Sequence, residues 1–205
     1  MPIPKRLAGQ TLNFRVPFAA CLLWAATAST AFAQSFPSDV PAPLQVPGRQ
    51  QLVAKALGVG VQIYTCGPSK EDPQHYVWNF TAPEATLFDS TGHRIGKHYA
   101  GPSWEANDGS KIVGTVKAHV DSPAASAIPW LLLTTKSAAS NGPTIKSGTN
   151  GSTEVAGGKF ARVKMVQRLH TVAGIAPSMP CSDTTAGRTA RVPYTADYYF
   201  YEPMH

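Results

Sequence analysis

The chain has 205 residues, with 18 Lys and Arg against 12 Asp and Glu, a formal charge of +6, and 43% hydrophobic residues. That hydrophobic share suits a folded chain rather than a disordered one, and at this length one domain buries roughly two thirds of its unfolded surface. The basic excess does not point to nucleic acid: taking Lys5, Arg6 and Arg15 from the +6 leaves +3, and no later stretch gathers a Lys/Arg cluster.

Residues 1–33 read as a secretory signal peptide. Those three basic residues precede or open an apolar run from Val16 to Ala28, and Ala31-Phe32-Ala33 stands before Gln34, the order of an export signal with its cleavage site. The run is shorter than the roughly 20 apolar residues a membrane span needs. A secreted or periplasmic location is therefore expected, with no membrane span after cleavage. Cys21 leaves with the signal, so Cys66 and Cys181 remain and are expected to form a disulfide.

Residues 34–50, with Pro37, Pro41, Pro43 and Pro47, predict an extended and poorly ordered lead-in to a single domain over residues 51–205. Gln51–Leu57 reads as one or two helical turns before Gly58. Short strands are then predicted at Val59–Cys66, His75–Phe80, Ala85–Phe88, Arg94–Tyr99, Ser103–Glu105 and Lys111–Val120. Asp89-Ser90-Thr91-Gly92 marks a turn between the third and fourth, and Gly101-Pro102 one between the fourth and fifth. Asn107-Asp108-Gly109-Ser110 marks a hairpin, because Asp-Gly between two strand-like runs favours a tight turn. Pro129–Thr135 is a continuous apolar run that fits a buried strand. Residues 137–159, rich in Gly, Ser, Thr and Asn, read as a flexible surface loop. Phe160–Val172 and Ala196–Tyr201 complete the strands. About eight or nine short strands and no long helix predict an all-β, single-domain antiparallel β-sandwich or partly open β-barrel.

Five segments carry a resemblance to a known family: GVQIYTC (Gly60–Cys66), APEATLFDSTGHRIGKHYAGPSWEANDGSKIVG (Ala82–Gly114), IPWLLL (Ile128–Leu133), VQRLHTVAGIAPSMPC (Val166–Cys181) and VPYTADYYFY (Val192–Tyr201). In order and content they resemble the family catalogued as domain of unknown function 3455. The resemblance implies an exported protein and places both cysteines in shared segments. It implies no activity and transfers no catalytic residue. In the fourth segment Leu169-His170 and Ala173-Gly174 stand where an Asn or Asp and a Gly-Gly pair are expected. A nicotinamide-dependent reading fails on the residues themselves. Gly58-Val59-Gly60 opens no G-x-G-x-x-G loop, since Ile63 occupies the third glycine's place and no helix follows.

Hydrolase motifs of the G-x-S-x-G and H-E-x-x-H kinds are absent. Three constellations near the hairpin remain. Ser103, His98 and Asp108 supply the residue types of a nucleophilic triad. His98 and Glu105, with His119 or His170, supply metal-ligand types, although scattered surface or hydrogen-bonded histidines are the plainer reading. Glu105 and Asp108 form a carboxylate pair of the kind glycosidases use, but Asp108 is explained by its turn. Trp78 and Trp130, in apolar strands, belong to the core. Two glycosylation sequons, at Asn79 and Asn150, leave only Asn150 in an accessible setting. The candidate ligand-binding residues are His98, Tyr99, Trp104 and Glu105, large polar and aromatic groups beside two turns. The function expected is non-catalytic binding of a small molecule, glycan or cell-surface partner by a monomer without cofactor or bound metal. The alternative is a metal-dependent or carbohydrate-active enzyme centred on the same segment.

Overall fold

The computed structural model describes residues 36–138, 144–145 and 155–204, together with Pro2. The expected signal peptide and most of the 137–159 stretch, Asn150 included, lie outside the described residues.

The described residues form β1 (Gln50–Pro68), β2 (Tyr76–Phe88), β3 (Arg94–Tyr99), β4 (Ser103–Ala106), β5 (Lys111–Val120), β6 (Trp130–Ser137), β7 (Thr144–Ile145), β8 (Val155–Ala156), β9 (Met165–Ala173) and β10 (Thr189–Pro203). β7 and β8 pair only with each other. The other eight, all antiparallel, follow one another round a closed ring in the order β1-β2-β3-β4-β5-β6-β9-β10, and β10 returns to β1. The all-β expectation holds, and closure leaves no unpaired edge for another chain to extend. Among the described residues, helical structure is confined to two 3₁₀ turns, Ala42–Leu44 and Asp183–Thr185. Among the described residues no helix is long and apolar enough to cross a membrane.

Three local expectations are corrected. Gln51–Leu57 is not helical but the start of β1, paired with Asp197–Glu202 of β10 across a register shift between Leu52 and Ala54. Ala54 and Ala56 are buried while Lys55 and Leu57 face out, a period of two that pairing imposes over the helix propensity of Ala, Lys and Leu. The two runs at His75–Phe80 and Ala85–Phe88 are one strand: Pro83 is carried within β2 next to a register shift at Ile63/Tyr64, the setting in which a strand tolerates proline. Phe160–Lys164 is not strand. Phe160 and Val163, both fully buried, enter the ring's apolar core, where the Phe160 ring stacks on Phe200 with centroids 4.4 Å apart.

That segment closes one end of the ring, against Ala54, Leu87, Ile112 and Phe200. A second cluster lies outside the ring wall. Leu44 of the lead-in is fully buried there against Trp130, Leu132, Met165, Leu169, Tyr199 and Tyr201. Gln167 Nε2 donates to Leu44 O at 2.7 Å, and the Tyr201 hydroxyl donates to Gln167 Oε1. The lead-in is thus strapped to the wall from Val40 to Val46, because its apolar residues meet an outward-facing aromatic strip. Trp130 is buried in this second cluster, so it packs in the core as expected.

β1 is long and must bend to close the ring. Its inward positions run Ala54, Ala56, Gly58 and Gly60, all small, and then Gln62. A Cβ on Gly58 would stand 2.5 Å from Tyr198 Cε2, and one on Gly60 would overlap the backbone of Glu84 and Ala85 on β2.

Cys66 and Cys181 are bonded, joining the end of β1 to the β9–β10 connection across a sequence separation of 115. The same connection is held by Tyr64 Oη donating to Gly174 O at 2.7 Å and by Trp78 Nε1 donating to Met179 O at 2.9 Å. Replacing both cysteines by serine is expected to lower stability by about 2–4 kcal/mol, mostly by freeing the unfolded chain. Urea unfolding of the oxidised protein and the double variant measures it, and equal midpoints would rule the contribution out.

A cavity inside the ring as candidate functional site

Above the apolar plug the ring is not filled. A cavity of about 530 Å³ remains, lined by residues of every ring strand: Gln62 from β1, Pro83 from β2, His98 from β3, Trp104 from β4, Val116 from β5, Leu133 from β6, Arg168 from β9 and Tyr198 from β10. A space walled by all eight strands is the lumen of the ring. Phe80 and Val116 line it while remaining 55% and 50% exposed, so they mark its mouth. Ile128 and Pro129 also border it, and Ile128 N–H donates to Ala173 O at 3.0 Å. The disulfide-pinned connection therefore lies beside the opening.

Trp104 forms the floor. Its indole is 1% exposed and meets Phe200 of the plug edge-on, with centroids 6.4 Å apart. His98 lies flat on Trp104, with ring centroids 4.5 Å apart and planes 14° from parallel, and tilts against Tyr198 at 5.1 Å. Strand register explains the stack, since His98 and Trp104 are direct partners in the β3–β4 pairing. His98 Nδ1 lies 2.9 Å from Ser103 O. A carbonyl only accepts, so Nδ1 carries the proton and Nε2 keeps a lone pair. Burial pushes the His98 pKa down to about 3, outweighing the Ser103 hydrogen bond that favours protonation. The ring is neutral at physiological pH.

Tyr99 and Glu105 are one residue along and face the other way. On the outer surface Tyr99 Oη donates to Glu105 Oε2 at 2.6 Å, and Lys97 Nζ pairs with Glu105 Oε1 at 3.2 Å. Lys97 and Lys111 lie over the Tyr99 ring, 5.4 and 5.0 Å from its centre. The Tyr99 hydroxyl first, then Lys97, hold the Glu105 carboxyl below its ordinary pKa. The structure thus divides the four candidates: His98 and Trp104 meet in the lumen, and Tyr99 and Glu105 meet outside it. The alternation of a strand carries this division; nearness in sequence hides it.

The other constellations do not assemble. His98 and Glu105 lie on opposite faces of the sheet, which removes the pair on which a metal site was to be built. Among the described residues no three His, Cys, Asp or Glu side chains gather as a ligand set. Ser103 Oγ donates to Ala100 O at 3.0 Å, away from any base. Asp108 is occupied by its turn. Oδ1 accepts from Ser110 N–H and Oγ at 2.9 and 2.6 Å, and Oδ2 accepts from Lys159 N–H at 2.6 Å. Burial opposes its charge, but these hydrogen bonds outweigh burial and leave the carboxyl below its usual range.

Residues 47–202 match the model of a protein family of unknown function, DUF3455. The chain belongs to this family. The match embraces every lumen residue and both cysteines, so the ring with its cavity lies within the DUF3455 region rather than being an addition to it. No curated protein and no solved structure matches the chain.

Of the lumen lining only His98 and Trp104 were among the candidate site residues; Gln62, Leu131 and Arg168 are among those missed. Arg168 projects inward from β9, between the buried Gln167 and Leu169, which face the outer cluster. Its Nε and Nη2 donate to Pro129 O at 3.2 and 2.8 Å. Among the described residues it has no carboxylate within ion-pair distance.

Proposed function

We propose that this protein is an exported, monomeric, non-catalytic binder that takes a small molecule into the lumen of its ring. One observation carries the reading: a cavity of about 530 Å³ bounded by all eight ring strands. That size is in the range of small-ligand pockets, roughly 300–1,000 Å³, and eight-stranded rings are just wide enough to hold one such ligand. The walls are chiefly apolar, with Phe80, Pro83, Ile128, Leu131 and Leu133 around a Trp–His floor. They favour an apolar or aromatic compound over a glycan, whose hydroxyls need many more polar partners. Export is supported by the N-terminal signal pattern and agrees with the disulfide, which persists in oxidising compartments. Catalysis is disfavoured because the acid, base and nucleophile candidates lie on different faces or are held by backbone groups.

The test uses the neutral fluorophore N-phenyl-1-naphthylamine. It is expected to bind the mature protein at one saturable site with a Kd on the order of 1–10 μM. Leu131→Trp, which places an indole in the lumen, is expected to weaken that binding at least tenfold while circular dichroism stays unchanged. Absence of saturable binding, or equal binding by a folded Leu131→Trp variant, would overturn the lumen reading.

A further inference from the structure

We infer that the lumen selects ligands with an apolar body and a single anionic head, best met by an apolar carboxylic acid whose carboxylate pairs with Arg168. The inference rests on the lumen being the binding site, and it adds the charge and polarity of the occupant.

Among the described residues that line the lumen, Arg168 alone carries a full charge. His98 is neutral, its proton committed to Ser103 O. Burial raises the phenol pKa values of Tyr64 and Tyr198, so both stay protonated. The Tyr64 hydroxyl donates to Gly174 O and that of Tyr198 pairs with Tyr194 at 3.1 Å. Among the described residues no anionic group in the lumen wall balances the guanidinium.

A guanidinium has five N–H donors, and here Pro129 O receives those from Nε and Nη2 while the neutral Tyr198 hydroxyl is a further partner that brings no counter-charge. A cation set among Leu, Ile, Pro and aromatic groups without a counter-ion costs stability, and an apolar residue of similar volume would avoid that cost. The arrangement makes sense if the counter-ion arrives with the ligand. Two further donors are held back in the same wall. Gln62 is 2% exposed and its Nε2 has no hydrogen-bond partner among the described residues; the same holds for Trp104 Nε1. The lumen therefore presents an excess of N–H donors and a positive charge beside apolar walls. A carboxylate supplies acceptor oxygens in the planar geometry that a guanidinium fork matches. A cationic head would meet repulsion, and a neutral alcohol would leave the charge unpaired.

The experiment displaces N-phenyl-1-naphthylamine from the mature protein with decanoate, decanol or decylamine, which share one chain and differ only in the head. Decanoate is expected to bind at least tenfold more tightly than decanol, with decylamine the weakest. Arg168→Met is expected to bring decanoate and decanol within threefold of each other while the neutral fluorophore still binds. Arg168→Lys is expected to retain a preference for decanoate. Equal affinity of the wild-type protein for decanoate and decanol overturns the anionic-head inference and leaves the lumen reading standing, because the neutral probe reports the cavity separately. An undiminished preference in Arg168→Met does the same. Should Arg168→Met not fold, the wild-type ratio and its fall with added salt decide: a ratio of one, or one that salt does not change, overturns the inference. Failure of every probe to bind overturns both readings.

Discussion

Gly60→Ala is expected to destabilise the protein by about 3 kcal/mol or more, whereas Gly67→Ala on the same strand should cost less than about 0.5 kcal/mol. Both glycines lie in β1 and both pair with β2, Gly60 with Ala85 and Gly67 with Val77. They differ in what a methyl group would meet. At Gly60 it would overlap the Glu84 carbonyl and stand 2.5 Å from Ala85 Cα, backbone atoms that move only if the two strands part. At Gly67 its nearest neighbour is Asn79 Nδ2 at 3.6 Å, an ordinary contact. The difference therefore isolates the close approach of β1 and β2 from the general cost of changing a strand glycine. Parting these strands opens the ring beside Gln62 and Pro83, so ligand binding should fall together with stability. Chemical denaturation of both variants measures the pair. Equal midpoints for the two would show that the ring does not depend on this approach.

Elements with a strong local signal were legible before the structure. Arg94–Tyr99 and Lys111–Val120 appear with the bounds their alternation suggested. Asp108-Gly109 makes the expected turn, with Gly109 at a φ of 82°. Cys66 and Cys181, the two cysteines outside the expected signal peptide, pointed to the bond that is present. What was hidden depends on which strands meet. Gln51–Leu57 carries a helical composition, and only pairing with β10 makes it a strand. Phe160 and Val163 sit in an alternating stretch, yet they plug the ring because its end needs apolar volume. Arg168 is the sharpest case. A charged residue in a strand normally marks the solvent face, but here its neighbours Gln167 and Leu169 are buried against an outer layer made by Leu44 and the lead-in. With apolar groups on both faces of β9, alternation no longer tells inside from outside. Conversely, the parity of His98 and Tyr99, and of Trp104 and Glu105, was available in the sequence and already divides the candidate site into an inner and an outer half.

Mild acid should destabilise the protein through His98, by about 2 kcal/mol between pH 6.5 and 5 and by about 4–5 kcal/mol as pH approaches 3. The unfolded chain takes up a proton at this residue below its ordinary value of 6.5, while burial holds the folded pKa down to about 3. Over that interval the unfolded state binds more protons than the folded one, so stability rises with pH and falls as acid is added. The slope is about 1.4 kcal/mol per pH unit. The depressed carboxylates, Asp108 and Glu105 among them, act in the same direction. Their unfolded values lie near 4, so their loss begins only below about pH 5. The interval from 6.5 to 5 therefore sets the carboxylates aside, and comparison with a His98 variant separates the buried imidazole from the other histidines. His98→Asn keeps a neutral N–H donor able to reach Ser103 O and removes the titrating group. It should be less stable at pH 7, having lost the stack on Trp104, yet its stability should change by about 2 kcal/mol less than wild type between pH 6.5 and 5. Denaturation curves at several pH values measure both slopes, and parallel slopes would refute a buried neutral His98. On the proposed lumen reading, the same chemistry constrains the ligand. An imidazole kept neutral beside Arg168 adds no second charge to the wall, so a ligand with one anionic head neutralises it, whereas a dianion would bury an unpaired negative charge.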